Sequence, residues 1–173
     1  MTIAITPAAD EDVPYIRDLY LFSFPDNERI GFDEILRIKE SGFGEVLVAK
    51  NGDTRVGMMF ILKGEGLIYI YYLAVDPGMR GLGYGSSVLD GLKAIFPGCR
   101  FALSSESPDP DARNLEERLW RISFYERNGF ADSGRRDMWK GERYALLTYG
   151  GDVGRDETGA MFRKAERLGK KPE

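Results

Sequence analysis

From Leu67 to Val75 the chain runs Leu-Ile-Tyr-Ile-Tyr-Tyr-Leu-Ala-Val without a charge, and Asp76-Pro77-Gly78 follows at once. The run is far short of the roughly 18 residues a membrane span needs. It reads instead as a strand buried on both faces, which requires a sheet covered on both sides. Arg80-Gly81-Leu82-Gly83-Tyr84-Gly85 comes next and leads into a segment with Val88, Leu89, Leu92, Ile95 and Phe96 at helical spacing. A buried strand, a glycine turn and an amphipathic helix in succession make a layered α/β domain the natural solution.

The flanking segments supply the other layers. Ile3 to Pro7 alternates as a short strand, and Val13, Ile16, Leu19 and Tyr20 share a helix face with Asp10 as the expected N-cap. Phe24-Pro25-Asp26-Asn27 breaks that helix, and a second covers Phe32 to Glu40. Glu45–Lys50 and Thr54–Leu62 flank Asn51-Gly52, a hairpin signal. A strand is expected from Arg100 to Ser105, and a helix from about Ala112 to Asn128 with Leu115, Leu119, Ile122 and Tyr125 or Glu126 on one face. Arg143 to Tyr149 closes the series as a last strand. This order predicts an α/β (α+β) fold: a mixed central sheet of six to seven strands with helices on both faces. The expected domain is 1–149, and 150–173 is expected to be an extension, helical in part, with Met161, Phe162, Ala165 and Leu168 on one side.

Composition narrows the chemistry. The chain has no histidine, which removes Ser-His and Cys-His pairs and most zinc sites, and no metal is expected. Acid–base work must fall to carboxylates, tyrosine, lysine or water. The net charge of −4 disfavours nucleic-acid binding. A lone cysteine, Cys99, and the lack of an export signal or apolar span make a cytoplasmic location the expectation, with no membrane partner.

Glycines at a helix N-terminus let the backbone approach an anion, whose charge the unpaired amides and the helix dipole favour. The loop lacks the Gly-Lys-Ser/Thr ending of a P-loop, and Ser86 stands where a dinucleotide fingerprint needs glycine. The pyrophosphate of coenzyme A and a tight turn without ligand remain as readings of the loop alone.

Two stretches together carry a resemblance. Leu73-Ala74-Val75-Asp76-Pro77 with Arg80-Gly81-Leu82-Gly83-Tyr84-Gly85 resembles the acyl-CoA motif of the GNAT acetyltransferases. Phe124-Tyr125-Glu126-Arg127-Asn128-Gly129-Phe130 resembles that family's second signature. The resemblance covers roughly Ile3 to Tyr149 and implies the GNAT acyl-CoA N-acyltransferase fold with acetyl-CoA as cosubstrate. It implies that the backbone of Leu73, Ala74 and Val75 holds the pantetheine arm and acetyl carbonyl. Arg80 and the amides of Gly81, Leu82, Gly83, Tyr84, Gly85 and Ser86 would hold the pyrophosphate. In that fold the fourth and fifth strands splay apart to admit the thioester, and Tyr125 matches the tyrosine that protonates the leaving thiolate.

There are departures from the family pattern. Arg118 stands where many members have an asparagine that contacts coenzyme A, with Asn114 one turn earlier, and Arg121 stands where alanine is common. The fourth strand offers Tyr69, Tyr71 and Tyr72 in place of a glutamate base. Glu106, on the same strand face as Ser104, is the expected base, because a protonated amine cannot attack a thioester. Glu28 and Asp26 border the expected acceptor site, with Glu28 and Tyr69 as substrate contacts and Phe22, Phe24 and Phe32 as aromatic neighbours. Cys99 has no base partner, so direct transfer to a small-molecule or peptide amine through a ternary complex is expected, from a monomer or homodimer. An O-acyltransferase is a lesser alternative, and a catalytically weak acyl-CoA-binding sensor is the alternative from another class.

Overall fold

The computed structural model describes residues 2–173. Among the described residues seven strands form one sheet: β1 (Ala4–Pro7), β2 (Gly44–Asn51), β3 (Thr54–Lys63), β4 (Leu67–Val75), β5 (Arg100–Glu106), β6 (Ala131–Trp139) and β7 (Glu142–Tyr149). Their order is β1-β2-β3-β4-β5-β7-β6, with β4 and β5 parallel and every other neighbouring pair antiparallel. Five helices cover it: α1 (Val13–Ser23), α2 (Phe32–Glu40), α3 (Tyr84–Ile95), α4 (Leu115–Arg127) and α5 (Arg155–Gly169).

Strand alternation divides the core into two layers. Met58, Phe60 and Leu62 of β3 pack with Ile16, Leu19 and Tyr20 of α1, Ile35 and Ile38 of α2, and Met161 and Ala165 of α5. Met59 and Ile61 point the other way, to Tyr84, Val88, Leu89 and Leu92 of α3, with Phe124 and Tyr125 of α4 packed alongside. Residues after 149 therefore contribute to the first layer. Arg100 joins Glu157 through both carboxylate oxygens (2.8 and 2.6 Å), and Arg37 Nε donates to Gly169 O (2.7 Å).

Three local expectations are corrected. Asp10 does not cap α1; residues 10–12 form a 3₁₀ turn, and it is Asp12 that accepts a hydrogen bond from Ala9 N (2.9 Å). The helix expected from Ala112 begins at Leu115, because residues 107–114 follow a Pro-rich path. Its apolar stripe is also interrupted: Leu119 is 49% exposed, while Arg118 is only 5% exposed. The sequence pattern did not disclose β6, whose Asp132, Arg135, Arg136 and Asp137 give an edge strand charge in place of alternation.

The candidate active site

β4 and β5 pair only through Leu67↔Arg100, Ile68↔Phe101 and Tyr69↔Ala102. Beyond Tyr69 the two strands part, and a gap opens between the second half of β4 and residues 103–106. β4 changes register where the gap begins: Phe60 of β3 faces Tyr72 and Ile61 faces Ile70, leaving Tyr71 as an extra residue. Such a bulge bends a strand and re-aims its side chains. Here Tyr71 and Tyr72 both pack toward the α1 layer.

One end of the gap is built from backbone. Asp76 Oδ1 accepts from Gly78 N (3.0 Å), and its Oδ2 accepts from the Tyr15 hydroxyl (3.1 Å), so the chain turns immediately after β4. Gly81 and Gly83 have φ of +77° and +84°, and neither has a heavy atom within 4 Å of where a Cβ would lie. The left-handed conformation favours glycine at both positions. The first hydrogen bond of α3 runs from Ser87 N to Gly83 O (3.2 Å), which leaves the preceding amides at the positive end of the helix. Leu82 is exposed, whereas Tyr84 is buried with its hydroxyl bonded to Asn51 Nδ2 (2.8 Å). Arg80 Nε donates to Val75 O (3.2 Å), so its guanidinium lies across the exit of β4. Gly85 gives α4 its approach: a Cβ there would stand 2.9 Å from the Phe124 ring.

Tyr125 lies between the Phe124 and Phe130 rings, 5.2 and 5.8 Å away between centroids. Burial pushes its hydroxyl up to about 12, moderated by the charge of Arg121. The phenol is therefore protonated at neutral pH, and it hydrogen-bonds no described residue. Ser105 Oγ, next to Glu106 on β5, is a buried hydroxyl without a hydrogen-bond partner among the described residues.

The other end is built from side-chain charge. Glu106 is 6% exposed at the tip of β5. Its Oε2 pairs with Arg118 Nη2 (2.6 Å), and its Oε1 accepts from Arg121 Nη1 (3.1 Å) and Asn114 Nδ2 (3.3 Å). Arg118 also donates to Asn114 Oδ1 (2.8 Å) and Ser107 O (3.0 Å) and reaches Glu142 (3.4 Å). Burial pushes the Glu106 carboxyl up, but the hydrogen bond to Glu28 and the guanidiniums of Arg118 and Arg121 outweigh it and hold the group below its usual range. Glu28 moves the opposite way. Burial, then its hydrogen bond to Glu106 and that group's charge, push it up to about 7 against the pull of Arg121 and Arg118.

Glu28 is positioned through its backbone. The Tyr72 hydroxyl donates to Glu28 O (2.7 Å) and accepts from Ile30 N (3.0 Å), while Tyr20 OH donates to Ile30 O (2.6 Å). Phe24 and Phe32 pack beside these rings. Across the opening, Lys140 in the β6–β7 turn donates to Arg29 O (2.7 Å). The remaining expected residues are dispersed. Tyr69 is buried with its hydroxyl on Ser104 Oγ (2.7 Å), Asp26 pairs with Arg29, and Phe22 is 70% exposed beside Tyr15 and Pro77.

The family model of the acetyltransferase (GNAT) domain matches residues 42–132, more than half of the chain. This chain belongs to the GNAT acetyltransferase family. No curated protein matches it. Among solved structures its fold is similar to that of a protein from Bacteroides thetaiotaomicron described as GNAT-family, with TM-score 0.75, 21% identity, and 97% of this chain and 99% of that one covered. It is similar to a Bacillus subtilis acetyltransferase in complex with CoA (TM-score 0.59, 19% identity, 88% and 98% covered). A chimera of the Vibrio cholerae spermidine N-acetyltransferase and hSSAT also shares the fold (TM-score 0.65, 12% identity, 86% and 95% covered).

The residues present in this GNAT acetyltransferase suit the family's acetyl-CoA. The amides at the head of α3 that hydrogen-bond no described backbone carbonyl, the open space at Gly81 and Gly83 and the gap beyond Tyr69 are the observations that fit. Sequence reasoning missed the partners of Glu106. Arg118 and Arg121 stood out as departures from the family pattern, and that was the available signal; their convergence on one carboxylate required the fold.

Proposed function

We propose that the chain transfers an acetyl group from acetyl-CoA directly to a primary amine in a ternary complex. The observation that carries this reading is the gap between β4 and β5, with the amides of α3's first turn at one end and a carboxylate cluster at the other. Acetyl-CoA supplies the activated acetyl group. Arg80 and the amides of residues 81–86 hold its pyrophosphate, and the backbone of Leu73 to Val75 lines the gap. Tyr125 holds, at its hydroxyl, the proton that the departing sulfur needs. The Glu106 cluster removes a proton from the acceptor, which matters because an amine with pKa near 10.4 is neutral in only about one molecule in 2,500 at pH 7. The acceptor is a small molecule or a peptide amine, reached between the loop carrying Glu28 and the β6–β7 turn.

The test uses purified protein with acetyl-CoA and a panel of polyamines, amino acids and peptide N-termini, following thiol release and product mass. Amine-dependent thiol release with a matching acetylated product is expected. Cofactor binding without product on any amine would favour an acyl-CoA sensor instead.

A further inference from the structure

We propose that Glu28, not Glu106, takes the proton from the acceptor's ammonium group, and that Glu106 is its positioning partner. The inference rests on the acetyltransfer reading above and assigns a residue within it.

The argument begins with the capacity of Glu106. A carboxylate offers about four lone-pair positions. Arg118, Arg121 and Asn114 occupy three of them, and the contact with Glu28 takes a fourth. Glu106 can accept a new proton only by losing one of these partners while buried, which is costly. Glu28 is built differently. It is half-buried, its carboxyl has Glu106 as side-chain partner, and its second oxygen faces no donor among the described residues. Two carboxyls in hydrogen-bond contact hold one proton between them, and it resides on the one not anchored by guanidiniums.

Every neighbouring element contributes to this balance. Glu106 comes from β5, Arg118 and Arg121 come from α4, and Tyr144, directly opposite Glu106, comes from β7 with Glu142 nearby. Glu28 itself is fixed to the gap by the Tyr72 hydroxyl on its carbonyl. Tyr72 follows the bulge, so the strand that lines the gap also holds Glu28. In the step itself an N–H bond of the ammonium breaks, its electron pair stays on nitrogen, and the proton bonds to a Glu28 oxygen. The nitrogen lone pair is then free to attack.

The test combines a pH–rate profile with direct titration of the free protein. In wild type, kcat/KM is expected to rise through neutrality, and ¹³C NMR of labelled glutamate side chains is expected to show one carboxyl with a midpoint near 7. Glu28→Gln is expected to remove that resonance, flatten the rise and lower kcat by about 10²-fold. Glu106→Gln is expected to move the midpoint to lower pH, and Arg121→Gln, at a half-exposed site, to move it higher. A rise retained in Glu28→Gln, or no glutamate titrating near neutrality in wild type, would overturn the assignment. Wild-type protein with no transfer to any amine would instead remove the acetyltransfer reading, and this assignment with it.

Discussion

The two ends of the β4–β5 gap are made from different material. At the α3 end the groups proposed for binding are main-chain amides, presented by glycines with positive φ and by the first turn of a helix. At the β5 end they are side chains from the loop after α1, from β5, from α4 and from β7, brought together by the fold. A main-chain cradle is written locally, in consecutive residues, so a sequence discloses it. A charge cluster is written in pieces. Glu28 and Arg121 are remote in sequence and adjacent in their effect on one proton.

Substitutions at the charged end should have the larger effects. Arg118→Met would leave Glu106 buried without its closest partner, so unfolding in urea is expected to show a loss of about 3–5 kcal/mol. A loss under about 1 kcal/mol would mean that Arg121 and Asn114 suffice. Tyr125→Phe removes a hydroxyl that hydrogen-bonds no described residue, so stability should hardly change. Turnover should fall by about 10²-fold while acetyl-CoA affinity is retained. Normal turnover would remove the tyrosine from the reaction.

Asp12 serves as a control, because a buried carboxylate between cations is not in itself a site. It pairs with Arg55 (2.8 Å) and Lys50 (3.2 Å), on β3 and β2, and not with the carboxylate cluster of β5. Burial pushes its carboxyl up, but hydrogen bonds from Ala9 N, Arg55 and Lys50 and the charge of Lys50 outweigh this and lower it from 3.8 to about 2. The folded value lies below the unfolded one. Its contribution, about 2 kcal/mol, is therefore present above pH 4 and is lost as pH falls toward 2. Asp12→Asn should flatten the acid limb of the stability curve and leave the pH dependence of turnover unchanged. Gly83→Ala should cost about 1 kcal/mol of stability, for a side chain at positive φ. Its calorimetric signature should be weaker acetyl-CoA binding; unchanged affinity in the folded variant would displace the cradle from that position.

Much of this was legible beforehand. The uncharged run of β4, the glycine loop and the α3 stripe specified the sheet's centre because each is a continuous local pattern. β6 was not, since an edge strand with charges on both faces has no periodicity to read. The α4 stripe misled because Arg118 is held among four acceptors, Glu106, Asn114, Ser107 O and Glu142. Glu106 was found by its place at a strand end, but its fully occupied lone pairs were not visible, and Glu28 therefore entered only as a contact for substrate.

Tyr71 also divides β4 into two halves of opposite parity. Before it, odd-numbered Leu67 and Tyr69 face α1; after it, even-numbered Tyr72 and Ala74 do. Leu73 and Val75 accordingly share the α3 side with Ile68 and Ile70. Deleting Tyr71 would leave Ile70 opposite Ile61 and Tyr72 opposite Phe60, so the following residues would keep their faces and only the bulge would be lost. The surplus tyrosine thus supplies a bend and not a phase: the two halves of β4 present the same faces to the helices on either side, along directions that differ.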